Sequence, residues 1–277
     1  MTEAHDTAQA HDVRLADGRS LRAYGSGSGD ITLLWQPGSP STGGLFEPLL
    51  TLAAERGIRL VGYARPSYGG STPQRGRTVA DAAQDVRQLA DALGLDRFAV
   101  AGYSGGGPHA LACAALLPDR VIAAITFASL APFDGEDWFA GMVGGGPSLR
   151  AATEGRAARE AFVEEFDPDS FNARDYAALE GDWAALGAEV GAAAAWGEQG
   201  IVDDDLAFVA PWGFEPADIR VPTLLVHGDD DRVVPFAHAQ RLERDIPAAE
   251  LRRRQGDGHV AVLGGYAAAL DWLLELH

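Results

Sequence analysis

The run Gly102-Tyr103-Ser104-Gly105-Gly106 constrains this chain more than any other. It follows the apolar stretch Arg97-Phe98-Ala99-Val100-Ala101, which reads as a buried strand. It precedes Pro108-His109-Ala110-Leu111-Ala112-Cys113-Ala114, which reads as a helix. Strand, Gly-x-Ser-x-Gly, helix describes a sharp turn that lifts a serine hydroxyl above the end of a sheet. Such a turn needs small neighbours. Gly102 and Gly106 supply them, since a Cβ at either position would crowd it.

The rest of the chain alternates. Val13-Arg14-Leu15 and Leu21-Arg22-Ala23-Tyr24 flank the turn signal Ala16-Asp17-Gly18-Arg19, a hairpin pattern. Further strands are expected at 31–35, 58–63, 121–130, 221–226 and 250–254. A helix is expected over 45–56, ending at Gly57. Another starts from a cap at Thr78, carries Val79, Ala82, Ala83, Val86, Leu89, Ala90 and Leu93 on one face, and ends at Gly94. Two more helices are read over 236–245 and 260–276. Strands alternating with helices imply an α/β fold, a mostly parallel, eight-stranded, doubly wound sheet covered on both faces. The alternation breaks from about Ala131 to Trp212, where the chain is helical, Ala-rich and acidic. That stretch reads as a helical cap, residues 132–212, inserted between the sixth and seventh strands of a core made of 1–131 and 213–277. Residues 1–11 are polar and expected to be disordered.

The length of 277 residues and the 47% hydrophobic content suit one large domain with an insertion. No run of about 18 apolar residues occurs, so no membrane-spanning helix is expected. Met1-Thr2-Glu3-Ala4-His5-Asp6 has neither a basic nor an apolar stretch, so no secretory signal is expected and a cytoplasmic location fits. The single cysteine, Cys113, has no internal partner and reads as a small core residue. The net charge of −18 argues against nucleic acid and anionic membranes as partners. Every cationic side chain that is not a histidine is an arginine.

A serine hydroxyl is a poor nucleophile near neutral pH. It needs a base to take its proton, and the base needs a partner to hold its tautomer. The chain offers Ser104, then acids in His227-Gly228-Asp229-Asp230-Asp231-Arg232-Val233-Val234-Pro235 after an apolar strand, then His259 in Gly256-Asp257-Gly258-His259. The order Ser, acid, His suits this architecture.

With these motifs, and with Arg65-Pro66-Ser67-Tyr68-Gly69-Gly70-Ser71, the chain resembles the α/β-hydrolase superfamily, especially its capped serine esterases and haloperoxidase-like members. The resemblance spans most of the core. It implies the α/β-hydrolase fold and selects Asp231 as the triad acid through the pattern Gly-x-x-Asp-x-x-Val-Pro. Asp229 and Asp230 are then turn residues. Asp134 is the alternative acid, since relatives sometimes place it after the preceding strand. The oxyanion hole implied is the backbone N–H of Gly105 together with that of Ser39, in Pro37-Gly38-Ser39-Pro40. Relatives commonly have a histidine where this chain has Pro37. Gln36 and the Ser39 hydroxyl are candidate helpers there.

The leading expectation is a serine hydrolase acting on a small carboxylic ester or lactone. Alternatives are a C–C bond hydrolase, a cofactor-free haloperoxidase or perhydrolase, a proline-iminopeptidase-like enzyme, and a non-catalytic ligand receptor. For the iminopeptidase reading, Glu160, Glu164 and Glu165 would bind a substrate amine; otherwise they are a solvated helix face. His109 and His227 read as structural. No cofactor and no metal is expected: no histidine, cysteine or carboxylate set has ligand spacing, and no phosphate-loop signature is present. The aromatics and methionine of the cap (Trp138, Phe139, Met142, Phe162, Phe166, Phe171, Tyr176, Trp183 and Trp196) are expected to be mostly cap core. A few should line a pocket over Ser104.

Overall fold

The computed structural model describes residues 9–163 and 165–277. Among them eight strands form one sheet in the order β1-β2-β4-β3-β5-β6-β7-β8. β1 (Gln9–Arg14) and β2 (Ser20–Ser26) form the expected hairpin, with Val13 opposite Leu21. β2 also pairs antiparallel with β4 (Ile58–Tyr63). From β4 the sheet runs parallel through β3 (Ile31–Gln36), β5 (Phe98–Tyr103), β6 (Val121–Phe127), β7 (Thr223–Gly228) and β8 (Ala249–Arg254). Parallel strands are covered on both faces, so their sequences are unbroken apolar runs. Every residue of β5 and of β7 is buried. β8, at the sheet edge, has no fully buried residue.

Alternate strand residues point to opposite faces. Leu33 and Trp35 join one apolar layer with Leu49, Tyr266 and Leu273. Leu34 and Val100 join the other, with Val86, Leu89, Leu111 and Leu242. Helices α1 (Leu49–Ala54) and α10 (Tyr266–Glu275) cover the first face. Helices α2 (Asp81–Ala92), α3 (Gly106–Leu116) and α9 (Ala237–Asp245) cover the second.

Several boundaries move from their expected places. α1 starts at Leu49 rather than at 45, because Pro48 disfavours helical backbone at Glu47 before it. Thr78 does not accept a capping bond. Its N–H and hydroxyl both donate to Asp81 Oδ2, at 2.6 and 2.8 Å, and the helix begins at Asp81. β6 ends at Phe127, because Ala128 turns to φ +49°. The last helix is preceded by a 3-10 turn, Ala261–Gly265. Residues 9–11, expected to be disordered, pair within β1; residues 1–8 lie outside the described residues, as does Glu164.

Between β6 and β7 run α4 (Gly146–Thr153), α5 (Arg156–Ala161), α6 (Ala173–Glu180), α7 (Ala184–Ala193) and α8 (Gln199–Phe208), with no strand among the described residues. Trp138 and Trp183 anchor this segment: Trp138 Nε1 donates to Ala131 O at 2.8 Å, and Trp183 meets Tyr266 edge to face. Among the described residues no helix is long and apolar enough to cross a membrane.

Candidate active site

At the end of β5 the chain reverses through Ser104, whose φ is +52°. A non-glycine residue rarely holds that conformation, and it persists only where the surroundings enforce it. Here Ser104 N donates to Phe127 O at 2.8 Å, and α3 begins two residues later. The turn is tight. A Cβ on Gly102 would run into Gly106 O, and one on Gly106 would run into Gln36 O.

Asp231 lies in the turn after β7 and is fully buried at the side chain. Its Oδ1 accepts from Val233 N at 2.9 Å and Val234 N at 2.8 Å. Its Oδ2 is thereby left facing His259 Nδ1, at 2.9 Å. His259 Nε2 in turn lies 3.0 Å from Ser104 Oγ. The three residues singled out from sequence thus meet in one hydrogen-bonded line. Burial alone would raise the Asp231 carboxyl, but His259, His227 and the Val234 N–H outweigh it and hold its pKa below the ordinary range. The carboxylate is therefore ionised at neutral pH, ready to orient the ring and to stabilise an imidazolium. Asp134, the alternative acid, is half exposed and pairs with Arg241 at 2.5 Å, away from this line. Asp229 accepts from Arg253 and Gly256 N, and Asp230 pairs with Arg232. His227 is structural in its contacts: its Nε2 lies 2.7 Å from Val234 O, and burial depresses its pKa.

Ser39 sits against Gly105, close enough that a Cβ on Gly105 would strike the Ser39 hydroxyl. Among the described residues, neither Ser39 N nor Gly105 N donates to a protein acceptor. The two candidate helpers are occupied elsewhere. Ser39 Oγ donates to Asp204 Oδ2 at 2.5 Å and accepts from Arg65 Nη2 at 2.8 Å. Gln36 Nε2 faces Cys113 Sγ at 3.9 Å. Where relatives have a histidine, Pro37 offers only its carbonyl, and Arg65 Nη1 donates to it. His109 Nδ1 lies 2.8 Å from Gly105 O; burial, helped by Arg65, pushes its pKa down to about 3.

Sequence reasoning passed over two buried carboxylates. Asp204, on α8, takes Arg65 Nη2 at 2.7 Å, Arg77 Nη1 at 2.7 Å and Tyr68 OH at 2.9 Å. Burial opposes its charge, but Arg65, Arg77 and His109 drive its pKa far below the ordinary value. The signal was the run Asp203-Asp204-Asp205 inside an otherwise apolar helix. Aspartate is almost never fully buried unless paired, and all three are buried. Asp175, on α6, accepts from the N–H groups of His259, Val260 and Ala261 at 3.2, 2.8 and 2.8 Å. Its signal was the spacing Asn172-x-x-Asp175, a capping box that α6 does form.

Two cavities meet at Ser104. The narrower, about 270 Å³, is mostly apolar and lined by Trp35, Phe46, Leu186, His259, Val260 and Leu263 among others. The wider, about 650 Å³, includes Gly105, Leu130, Leu149, Phe162, Glu165 and Phe208. Phe162, Phe166, Phe171 and Phe208 are the aromatics between β6 and β7 that line these two cavities, and sequence reasoning had not singled out Phe208. Trp138 packs on His238, Trp183 on Tyr266, and Trp196 is half exposed. Among the described residues no group of three or more histidine, cysteine or carboxylate side chains is arranged to hold a metal ion.

The sequence profile of the Alpha/beta hydrolase family matches residues 33–270, and the chain belongs to that family. A putative non-heme chloroperoxidase of Synechocystis sp. is 26% identical over 248 residues, covering 85% of this chain and 83% of its own length. The crystal structure of a bromoperoxidase from Bacillus anthracis superposes with a TM-score of 0.74 at 23% identity, covering 97% of this chain and 99% of that one. A thermophilic esterase from Thermogutta terrifontis gives 0.73 at 21% identity, covering 98% and 100%.

Proposed function

We propose that this hydrolase-family chain is a serine hydrolase that cleaves small carboxylic esters or lactones through an acyl-enzyme. The observation that carries the reading is the line from Asp231 Oδ2 through His259 to Ser104 Oγ, with steps of 2.9 and 3.0 Å. His259 takes the Ser104 proton as the oxygen attacks the carbonyl. The N–H groups of Ser39 and Gly105 receive the oxyanion. His259 then protonates the leaving alcohol, and a water activated by the same imidazole releases the acid.

The leaving group must lie on the His259 side, because Nε2 hands it the proton. That side is the narrow apolar cavity, so the alcohol part is small and apolar. The acyl part then occupies the wider cavity beside Gly105. In this reading residues 132–212 act as a cap, since Phe162, Phe166 and Phe171 wall the cavities. The chloroperoxidase relative favours a second reading, perhydrolysis, in which hydrogen peroxide replaces water on the same acyl-enzyme.

The test is turnover of p-nitrophenyl esters by wild type and Ser104→Ala. The variant is expected to fold and to lose on the order of 10⁴-fold or more in kcat. A fluorophosphonate should label wild type at Ser104 and leave the variant unmarked. Full activity in the variant, or labelling elsewhere, refutes the serine mechanism. Peroxyacid formation with added hydrogen peroxide separates the second reading from the first.

A further inference from the structure

The first turn of α6 grips both loops that carry the acid and the base. Asn172 Nδ2 donates to Asp230 Oδ2 at 2.9 Å and to Gly256 O at 3.3 Å. Arg174 Nη1 donates to Gln255 O at 2.7 Å and to Asp257 Oδ1 at 2.9 Å. Asp175 has no exposed surface and accepts the consecutive N–H groups of His259, Val260 and Ala261. The approach is so close that a Cβ on Gly258 would run into Asp175 Oδ2, which accounts for a glycine immediately before the histidine.

We infer that Asp175, with Asn172, is a positioning residue that sets the His259 ring between Asp231 and Ser104. The inference rests on the serine-hydrolase reading. A ring orientation is inherited from the backbone that bears it. His259 has no other described acceptor for its N–H, and it stands just before the 3-10 turn Ala261–Gly265, whose N-cap Val260 and first residue Ala261 donate to the same carboxylate. Asp175 supplies those partners from a helix that belongs to the segment between β6 and β7. Asn172 ties the same helix turn to Asp230, next to the triad acid. The separation of Asp231 and His259 is therefore held by a third element that touches neither reacting atom. Because reactivity depends steeply on alignment, a shift of about 1 Å costs roughly 100-fold.

The experiment measures kcat and KM for Asp175→Ala, Asp175→Asn and Asn172→Ser, with melting followed by circular dichroism. Serine can still cap α6 but cannot donate as the amide does. The expected result is a kcat about 100-fold lower for D175A at a KM within about threefold of wild type, on protein that is folded at the assay temperature. D175N, which keeps an acceptor oxygen, should fall between D175A and wild type. The downfield proton resonance of His259 Nδ1–H should weaken in the same order. If D175A does not fold, D175N and N172S decide, and both are expected to lower kcat without raising KM. Wild-type kcat in the folded variants, a loss confined to KM, or an unchanged Nδ1 resonance overturns the inference. Fluorophosphonate labelling keeps the two ideas apart. If wild type labels at Ser104, His259→Ala does not, and D175A labels at the wild-type rate, the positioning role alone is wrong. If wild type fails to label, or His259→Ala labels equally fast, the serine-hydrolase reading is wrong.

Discussion

The helical segment between β6 and β7 meets the sheet at two places beside Ser104, and each place uses a buried carboxylate in its own way. At the Pro37–Pro40 loop, Asp204 meets guanidinium groups, Arg65 at Oδ2 and Arg77 at Oδ1, and the Tyr68 and Ser39 hydroxyls also donate to Oδ2. At the histidine loop, Asp175 meets backbone N–H groups and no described cationic side chain. The first junction balances charge against charge among buried side chains. The second uses a carboxylate as a helix cap does, where the partners are partial charges of the peptide. Removing a carboxylate from the first strands two buried cations. Removing it from the second leaves only unpaired N–H donors.

The largest expected effect tests that asymmetry directly. Asp204→Ala should cost about 3–5 kcal/mol in urea unfolding, because Arg65 and Arg77 are left uncompensated. D175A should cost about 1–3 kcal/mol in the same measurement. Equal costs, or a larger one at Asp175, would break the contrast.

The next effect is a pH slope. His109, beside Asp204, has a folded pKa of about 3 against an ordinary value near 6.5. Between those values the unfolded chain binds a proton that the folded chain refuses. Stability from this residue is therefore complete above about pH 6.5 and falls as the pH drops, by about 1.4 kcal/mol per pH unit. Asp204 acts in the same direction but at lower pH: its folded pKa is also depressed, so its contribution is present above the ordinary carboxylate pKa and lost as the pH falls below it. Unfolding of His109→Asn between pH 6 and 4 should be flatter by about that slope. An unchanged slope would show that His109 is not the titrating group.

The smallest effect sharpens the contrast from outside. Glu160 pairs with Arg75 and Arg156 on the same helical segment, but at an exposed site. Glu160→Ala should change stability by no more than about 0.5 kcal/mol, since water screens such pairs. A large loss there would mean that burial is not what separates Asp204 from the surface acids.

How much of this the sequence disclosed follows from how local each signal is. Ser104 was legible because the strand, the two glycines and the helix are consecutive. Asp231 needed the resemblance, since three adjacent aspartates offer the same chemistry and only the turn geometry leaves Asp231 Oδ2 free for His259. The sheet was readable because strands buried on both faces are plain apolar runs. Asp175 and Asp204 were not readable as site residues. Their partners lie 84 to 86 and 127 to 165 positions away along the chain, and no spacing rule reaches that far. The same applies to the cavity walls. Phe162, Phe166 and Phe171 cannot be told from Trp138 or Trp183 until the helices are docked. Thr78 failed for a local reason: the Asp81 carboxylate is the stronger acceptor and reverses the bond.

The strand order also schedules the molecule's birth. A ribosome delivers Ser104, its glycines and its flanking strands well before β7 and the turn beyond it. A chain that has emerged only through β6 carries Ser104 with neither Asp231 nor His259. Asp175 and Asp204 emerge before β7 does, so the helices that grip the histidine loop wait for a loop that has not yet been made. The hydrogen-bonded line from Asp231 through His259 to Ser104 can form only once the turn after β8 closes onto α6.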